Sequence, residues 1–401
     1  MSSLTFNLED VASVRTGDGA PQDSKAFCDK GVPFIRAGSL SSLLSGKTEN
    51  ELEKISHSEV KGRRMTIFPA GTVVFAKSGM SCTKGLVYQL KGDCCVVNHL
   101  AAIECGPDLD SCFLLRWLEK NSPSRLIANA SYPSIKISTI RDDIVKLPFK
   151  NGTPDLDEQK RIAAILDKAD AIRRKRRQAL QLTDDFLRSL FLDMFGDPVT
   201  NPKGWTMGTL GDLVERLDGG KNIAESNTPT SFRVLKVSAV TSGKYRADQS
   251  KFVPDNFQVP SAYIVKAGDL LVSRANTREL IGATAYVWDT PKNIMLPDKI
   301  WKFVWRDPKA ADPLFVHALT RVPGVQAEIG KRASGTSGSM KNIAKPKLLG
   351  LPIPIPSTND QRRFGDIARR IQKMSHRTVN ADVSPNTLFS SLQHGAFKGE
   401  L

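Results

Sequence analysis

Residues 154–160, PDLDEQK, hold Pro-Asp followed by Glu-Gln-Lys, the letters of a metal-dependent nuclease motif. In such an enzyme those letters sit on separate strands around a metal ion. Here they open a helical pattern, with Asp155 as N-cap and Glu158 three residues on, so helix capping already accounts for them. SGKT (45–48) imitates the end of a phosphate-binding loop, but the glycine needed five positions before Gly46 is Ser41, and the cradle is missing. No Asn/Asp-Pro-Pro-Tyr/Phe box is present, as an adenine methyltransferase would need. No H-E-x-x-H occurs, and His57, His99, His317, His376 and His394 are scattered. His99 follows Asn98 in a strand-like run and reads as a core or edge residue rather than a ligand. Cys28, Cys82, Cys94, Cys95, Cys105 and Cys112 all lie in the first third without a C-x-x-C pair. Buried thiols in a reducing cytoplasm fit them better than a metal site. No catalytic residue and no metal site are expected.

Charge points elsewhere. Against 42 Asp and Glu stand 57 Lys and Arg, a formal charge of +15. That balance favours a polyanionic partner, with nucleic acid first, because Lys and Arg gain affinity by releasing phosphate counterions. The composition, 25% charged and 40% hydrophobic, is that of an ordinary soluble globular protein. MSSLTFNLED has neither a basic nor an apolar signal region, and no apolar run approaches about 18 residues. A cytoplasmic protein of two or three domains is expected.

The elements that must carry a binding surface come in two copies. NLEDVASVRTGDG (7–19) pairs with TLGDLVERLDGG (209–220), and VPFIRAGSLSS (32–42) with FRVLKVSAVTSG (232–243). FPAGTVVFAKSGMSCTKGLVYQL (68–90) pairs with IVKAGDLLVSRANTRELIGATAYVW (264–288). SYPSIKISTIRDDIVKLPF (131–149) matches SGSMKNIAKPKLLGLPIPIP (337–356), and DEQKRIAAIL (157–166) matches NDQRRFGDIA (359–368). The tails FLRSLFLDMF (186–195) and LFSSLQHGAF (388–397) agree as well. Within each copy, runs such as TVVFA and DLLVSR read as short strands between Gly turns. GDPVTNPKGW, after Phe195, marks the boundary between the halves.

Between 156 and 195 there is no Pro or Gly, and a helix across that span would be about 60 Å long. Ile162, Ile165, Ala169, Ile172, Arg176, Ala179, Thr183, Phe186 and Leu190 alternate three and four apart, a seam of period 3.5. Phe364, Ile367, Ile371 and Met374 repeat it until TVNADVSPN interrupts. Pro385 cannot continue a helix, so a new one is expected there with Ser384 as N-cap. Two seam-bearing helices most simply pack as an antiparallel pair, with Arg176 and Thr183 fixing register. RRKRRQ (173–178) surrounds its helix among Asp167, Asp170, Asp184 and Asp185, and reads as solvated face with partner contacts rather than a DNA contact.

With repeat and helices together, the chain resembles the specificity (S) subunit of type I restriction–modification systems, the HsdS family. The phrases that carry the likeness are GDLLVSRANTRELIG, LPIPIPSTNDQRR and LPFKNGTPDLDEQKRIAAILDKADAIRRKRRQAL, continuing to LRSLFLDMFGDP. Two departures stand out: LPFKNGTPDLDEQ in place of an LPIPIP-type exit, and the interruption near Pro385. The resemblance implies an α+β fold: two strand-rich globular target recognition domains related by pseudo-two-fold symmetry, separated by long antiparallel helices forming a coiled-coil-like spacer. Its divisions fall at 1–153, 154–198, 199–356 and 357–401. It also implies a non-catalytic subunit that reads a bipartite double-stranded DNA target, one half per domain. Its helices would recruit two methyltransferase (M) subunits and, through them, restriction/motor (R) subunits. S-adenosylmethionine, ATP and Mg would belong to those partners, none to this chain. Two other readings stand beside it: a specificity module serving a fused nuclease-methyltransferase, and a scaffold binding proteins rather than DNA.

Reading base edges requires polar and basic side chains at strand ends. In the second domain SRANTRE offers Arg274, Asn276, Thr277 and Arg278. The matched loop of the first, AKSGMSCTKG, offers Lys77, Ser78, Ser81 and Lys84. A second pair of loops adds Tyr132, Ser134 and Lys136 from NASYPSIK, and Thr336, Ser337 and Lys341 from RASGTSGSMK. The loops differ in sequence, which suits two domains reading different half-sites.

Overall fold

TVVFA and DLLVSR lack polar alternation because the strands they form are buried on both faces. These strands, Val73–Ala76 and Leu270–Ser273, are buried at every position. Each occupies the third place in a four-stranded antiparallel sheet. In one sheet the order is Ala12–Thr16, Leu100–Cys105, Val73–Ala76, Val87–Gln89. In the other it is Val214–Gly219, Ile300–Trp305, Leu270–Ser273, Thr284–Tyr286. The computed structural model describes residues 3–335, 340–377 and 385–398. Its chain divides into two compact units: unit 1 is Met1–Arg176 with Ala381–Leu401, and unit 2 is Arg177–Asn380.

The repeat extends to the smaller sheets. In unit 1, Val32–Ile35 pairs antiparallel with Lys54–Ile55 and parallel with Cys95–Val96. In unit 2, Arg233–Leu235 pairs antiparallel with Ser250–Phe252 and parallel with Ile294–Met295. Ser3–Asn7 lies against Ile144–Lys150, as Met207–Thr209 lies against Pro352–Pro354. Both first strands run into a capped helical turn, with Asn7 N donating to Asp10 Oδ2 (3.0 Å) and Thr209 N to Asp212 Oδ2 (2.7 Å). Gly17 and Gly220 are required where backbone crosses backbone, since a Cβ would overlap the carbonyl of Val96 or of Leu296. Burial pushes the Cys95 thiol up to about 11 and Cys105 to about 12, so both stay protonated at neutral pH.

The irregular exit LPFKNGTPD is a β-hairpin. Phe149 pairs with Pro154 and Lys150 with Thr153, around Asn151 (φ 51°) and Gly152 (φ 88°). An Asn-Gly pair at positive φ is the turn that follows strand twist. Asp155 then accepts from Glu158 N (3.0 Å), and the helix Leu156–Phe195 begins. Glu158 itself pairs with Arg161 (2.7 Å) instead of reaching back to the cap.

Two buried glutamines explain why the DEQ and NDQ phrases recur. Gln159 Oε1 accepts from Asp110 N (2.9 Å) while its Nε2 donates to Asp108 O (3.0 Å). Gln361 Oε1 accepts from Asp312 N (3.3 Å), and its Nε2 donates to Pro356 O (3.0 Å). Asp110 and Asp312 are in turn the N-caps of the domain helices Ser111–Lys120 and Pro313–Thr320. One amide side chain thus ties the start of each exit helix to the start of a helix in the domain. Being buried, it can hardly be replaced without stranding polar backbone.

The long helix buries the expected seam only at its start. Its covered positions at the start are Gln159, Ile162, Ala163, Leu166 and Asp170, and at the end Phe191 and Phe195. Ile172 and Phe186, both on the expected seam, are 66% and 53% exposed. Each end lies on a globular surface, where a straight helix presents a 3.6-residue stripe instead of a 3.5-residue one.

The tails are packed crosswise. Phe195, ending the first copy's helix, packs on Phe315 (5.0 Å) and on Phe364 (5.9 Å) of the helix Thr358–Arg377, all in unit 2. Phe397, in the helix Pro385–Lys398, packs on Phe113 (5.3 Å) in unit 1. The Ser384 cap expected before that helix lies outside the described residues. Within the basic run, Arg173 lies over the Phe389 ring (4.4 Å) and pairs with Asp170 (2.5 Å), and Arg174 also pairs with Asp170 (3.2 Å). Among the described residues no helix is long and apolar enough to cross a membrane.

Candidate nucleic-acid interface

The loops paired across the halves by sequence also meet each other within each unit. Where Val73–Ala76 ends, Lys77 N donates to His99 O (2.9 Å) and Lys77 O accepts from Ile135 N (2.7 Å). Ser78 and Ser134 then form an antiparallel bridge, and Gly79 N donates to Pro133 O (3.0 Å). In unit 2, Arg274 N donates to Lys299 O (3.0 Å), and its carbonyl accepts from Ile343 N (3.0 Å). Ala275–Asn276 pairs with Lys341–Asn342. The same backbone bonds make Lys77 and Arg274 equivalent, as are His99 and Lys299. Each unit therefore has one rigid strand-end edge carrying a cation, built from two loops far apart in the chain.

In unit 1, Ser78 Oγ lies 2.7 Å from His99 Nδ1. Tyr132 is 82% exposed beside exposed Ser134, and Lys136 precedes the helix Ile137–Arg141. Ser81 is half-buried. Lys84 closes the turn Cys82–Lys84, whose first residue donates from N to Gly79 O (2.9 Å) and which Gly85 follows against Ser122 and Ser124.

In unit 2, Arg274 is held from two sides. Its Nε donates to Asp298 O (2.8 Å), Nη2 lies 3.7 Å from Asp298 Oδ2, and its guanidinium lies 5.8 Å from the centre of the Trp301 ring. Lys345 Nζ is 5.6 Å from that same ring, so one indole serves two cations. Asn276 Oδ1 accepts from Thr277 N (2.9 Å), and Nδ2 reaches Thr241 Oγ1 (3.4 Å). Arg278 is exposed, and Lys341 Nζ donates to Gly335 O. Thr336 and Ser337 lie outside the described residues.

Sequence reasoning took His99, after Asn98, as a core or edge residue and did not place it beside Ser78; Asp298, Lys299 and Trp301 were not singled out. A signal was present: VVNHLAAI (96–103) and LPDKIWKF (296–303) continue the repeat in order, although their polar residues differ.

A family model for the type I restriction modification DNA specificity domain matches residues 3–182 and again 202–382. The type I restriction enzyme EcoEI specificity subunit of Escherichia coli is 31% identical over 166 residues, which is 40% of this chain and 28% of that protein. The MjaIX specificity subunit of Methanocaldococcus jannaschii is 27% identical over 145 residues, 35% of this chain and 33% of the other. These alignments span a third or less of the curated relatives. The crystal structure of the S subunit of a type I restriction–modification system from M. genitalium superposes with a TM-score of 0.60 at 13% identity. That likeness covers 100% of this chain and 96% of the other, and is a likeness of fold.

Proposed function

Because this chain belongs to the family of type I restriction modification DNA specificity domains, which it carries twice, we propose that it is the subunit that reads DNA for such a system. Each unit takes one half of a bipartite target through its strand-end edge. The observation that carries this reading is the recurrence of that edge, with Lys77 and Arg274 locked by the same backbone bonds in the two units. A fixed cation on rigid backbone suits duplex DNA, where phosphate contacts position and base edges specify. The chain supplies no catalysis in this reading. Methyltransferase subunits, and motor-nuclease subunits through them, bring S-adenosylmethionine, ATP and Mg in the cytoplasm. The exposed Ile172, Leu182 and Phe186 on the long helix are apolar surface for such partners. The functional division proposed is 1–153 and 199–356 for reading, 154–198 and 357–401 for spacing and docking.

The test is selection from a random duplex library by the complex purified through a tag on the full chain. A bipartite consensus is expected, with affinity falling steeply as salt rises. Arg274→Ala should cost about 1–3 kcal/mol at one base pair of a single half. Salt-independent binding without any consensus would make the chain a protein scaffold instead.

A further inference from the structure

The strand-end edge recurs in both units, with Lys77 in one and Arg274 in the other. Structure that only one unit has can add recognition particular to one half-site. Unit 1 has the helix His57–Gly62, capped by Ser56, whose Oγ accepts from Glu59 N (3.2 Å). The corresponding stretch of unit 2, residues 254–263 (PDNFQVPSAY), carries no Lys or Arg and forms only the short turn Ser261–Tyr263.

That helix stops in an unusual way. Arg63 N donates to Glu59 O (2.9 Å), Met65 N reaches back to Val60 O (2.9 Å), and Arg64 between them has φ 52°. This is the left-handed stop at which glycine is the common residue, because a Cβ is disfavoured there. Arginine holds the position against its own backbone preference. Arg63 is already paired with Glu59 (2.7 Å). Arg64 is exposed and has no ion-pair partner among the described residues.

The stop is also pinned to the strand-end edge. Two residues on, Thr66 N donates to Asp18 Oδ2 (2.7 Å), and Asp18 O accepts from Asn98 N (2.8 Å). The next residue, His99, carries the ring bonded to Ser78.

We propose that Arg64 is a base-reading residue for the half-site taken by unit 1, with guanine the base its planar fork fits. This rests on the DNA-reading function proposed above. Arg64→Gly provides the test, because it removes the side chain while relieving the backbone. The full complex, wild-type and variant, is put through random-duplex selection at two salt concentrations, and thermal unfolding is measured alongside. The expected variant melts no lower than wild type, loses preference at one or two positions of one half-site by about tenfold, and keeps the other half intact.

An unchanged consensus at unchanged affinity overturns the assignment. So does a loss spread evenly over all sequences with a salt slope shallower by about one, which marks a phosphate contact. Loss in both halves with a lower melting point makes Arg64 structural and also overturns it. If wild type itself selects no consensus, the DNA-reading function fails first, and that failure is visible without the variant.

Discussion

In unit 1 the exit helix is held by an arginine on the domain, and in unit 2 by an arginine on the helix. Arg116 of unit 1, its side chain 7% exposed, meets Asp167 (2.6 Å), Glu119 (2.6 Å) and Asp170 (3.5 Å). In unit 2, Arg369 occupies the helix position equivalent to Asp167 and bonds Asp312 (2.8 Å), the buried cap of the domain helix. Both sockets share the glutamine clasp and a capping aspartate, Asp110 or Asp312, but the arginine sits on the domain in unit 1, where unit 2 has Ala318, and on the helix in unit 2. Were the helices to trade sockets, Arg369 would face Arg116, and Asp167 would face Asp312. Steric fit diverges in step, since Ala163 of the first helix is matched by Gly365, where a Cβ would overlap the Asp312 carboxylate. A duplicated joint has become two joints, each fitted to its own helix.

Three substitutions press on that difference, each read by hydrogen exchange resolved to one unit. Arg116→Met should have the largest effect, about 3 kcal/mol lost in unit 1 alone, because it removes the buried guanidinium that Asp167 and Glu119 share, while Asp170 keeps Arg173 and Arg174. Equal loss in both units would mean that the joints are not independent. Gly365→Ala should cost unit 2 about 1–3 kcal/mol through overpacking, although the same change in an open helix is favourable. A stabilised unit 2 would show that Asp312 has room to turn away.

The smallest effect concerns pH. His317 bonds Thr284 Oγ1 (2.9 Å), and burial, with Arg321 nearby, pulls it from 6.5 down to about 3. The unfolded chain binds a proton there below about 6.5, whereas the folded unit refuses it until about 3. Stability of unit 2 therefore falls with pH across that window. The equivalent residue of unit 1 is Leu115, which cannot titrate. His317→Gln should lessen the loss of unit 2 protection between pH 7 and pH 5; the same loss in variant and wild type would remove His317 as its source.

The repeat was legible because apolar spacing and turn residues survive duplication, and Gln159 and Gln361 stand in the matching phrases DEQKRIAAIL and NDQRRFGDIA. The seam was misread at Ile172 and Phe186 because a heptad pattern presumes one helical partner along the whole length, whereas globular surfaces take both ends. Candidate loops were legible, but the edge was not. The bonds between Lys77 and Ile135, or Arg274 and Ile343, join segments with no local sequence signal. Arg64 was invisible for a different reason: an arginine in a loop looks ordinary until its φ is known.

The crosswise tails bear on how the chain folds as it is made. Lys120 bonds the Gln393 carbonyl (3.4 Å), and Phe113 takes its ring contact from Phe397. Both partners are translated after the whole of unit 2. On the ribosome, the domain synthesised first therefore keeps an open aromatic face until the helix Pro385–Lys398 emerges. Unit 2, whose Phe191 and Phe195 precede their own partners, has no such wait. The first domain begun is the second one finished.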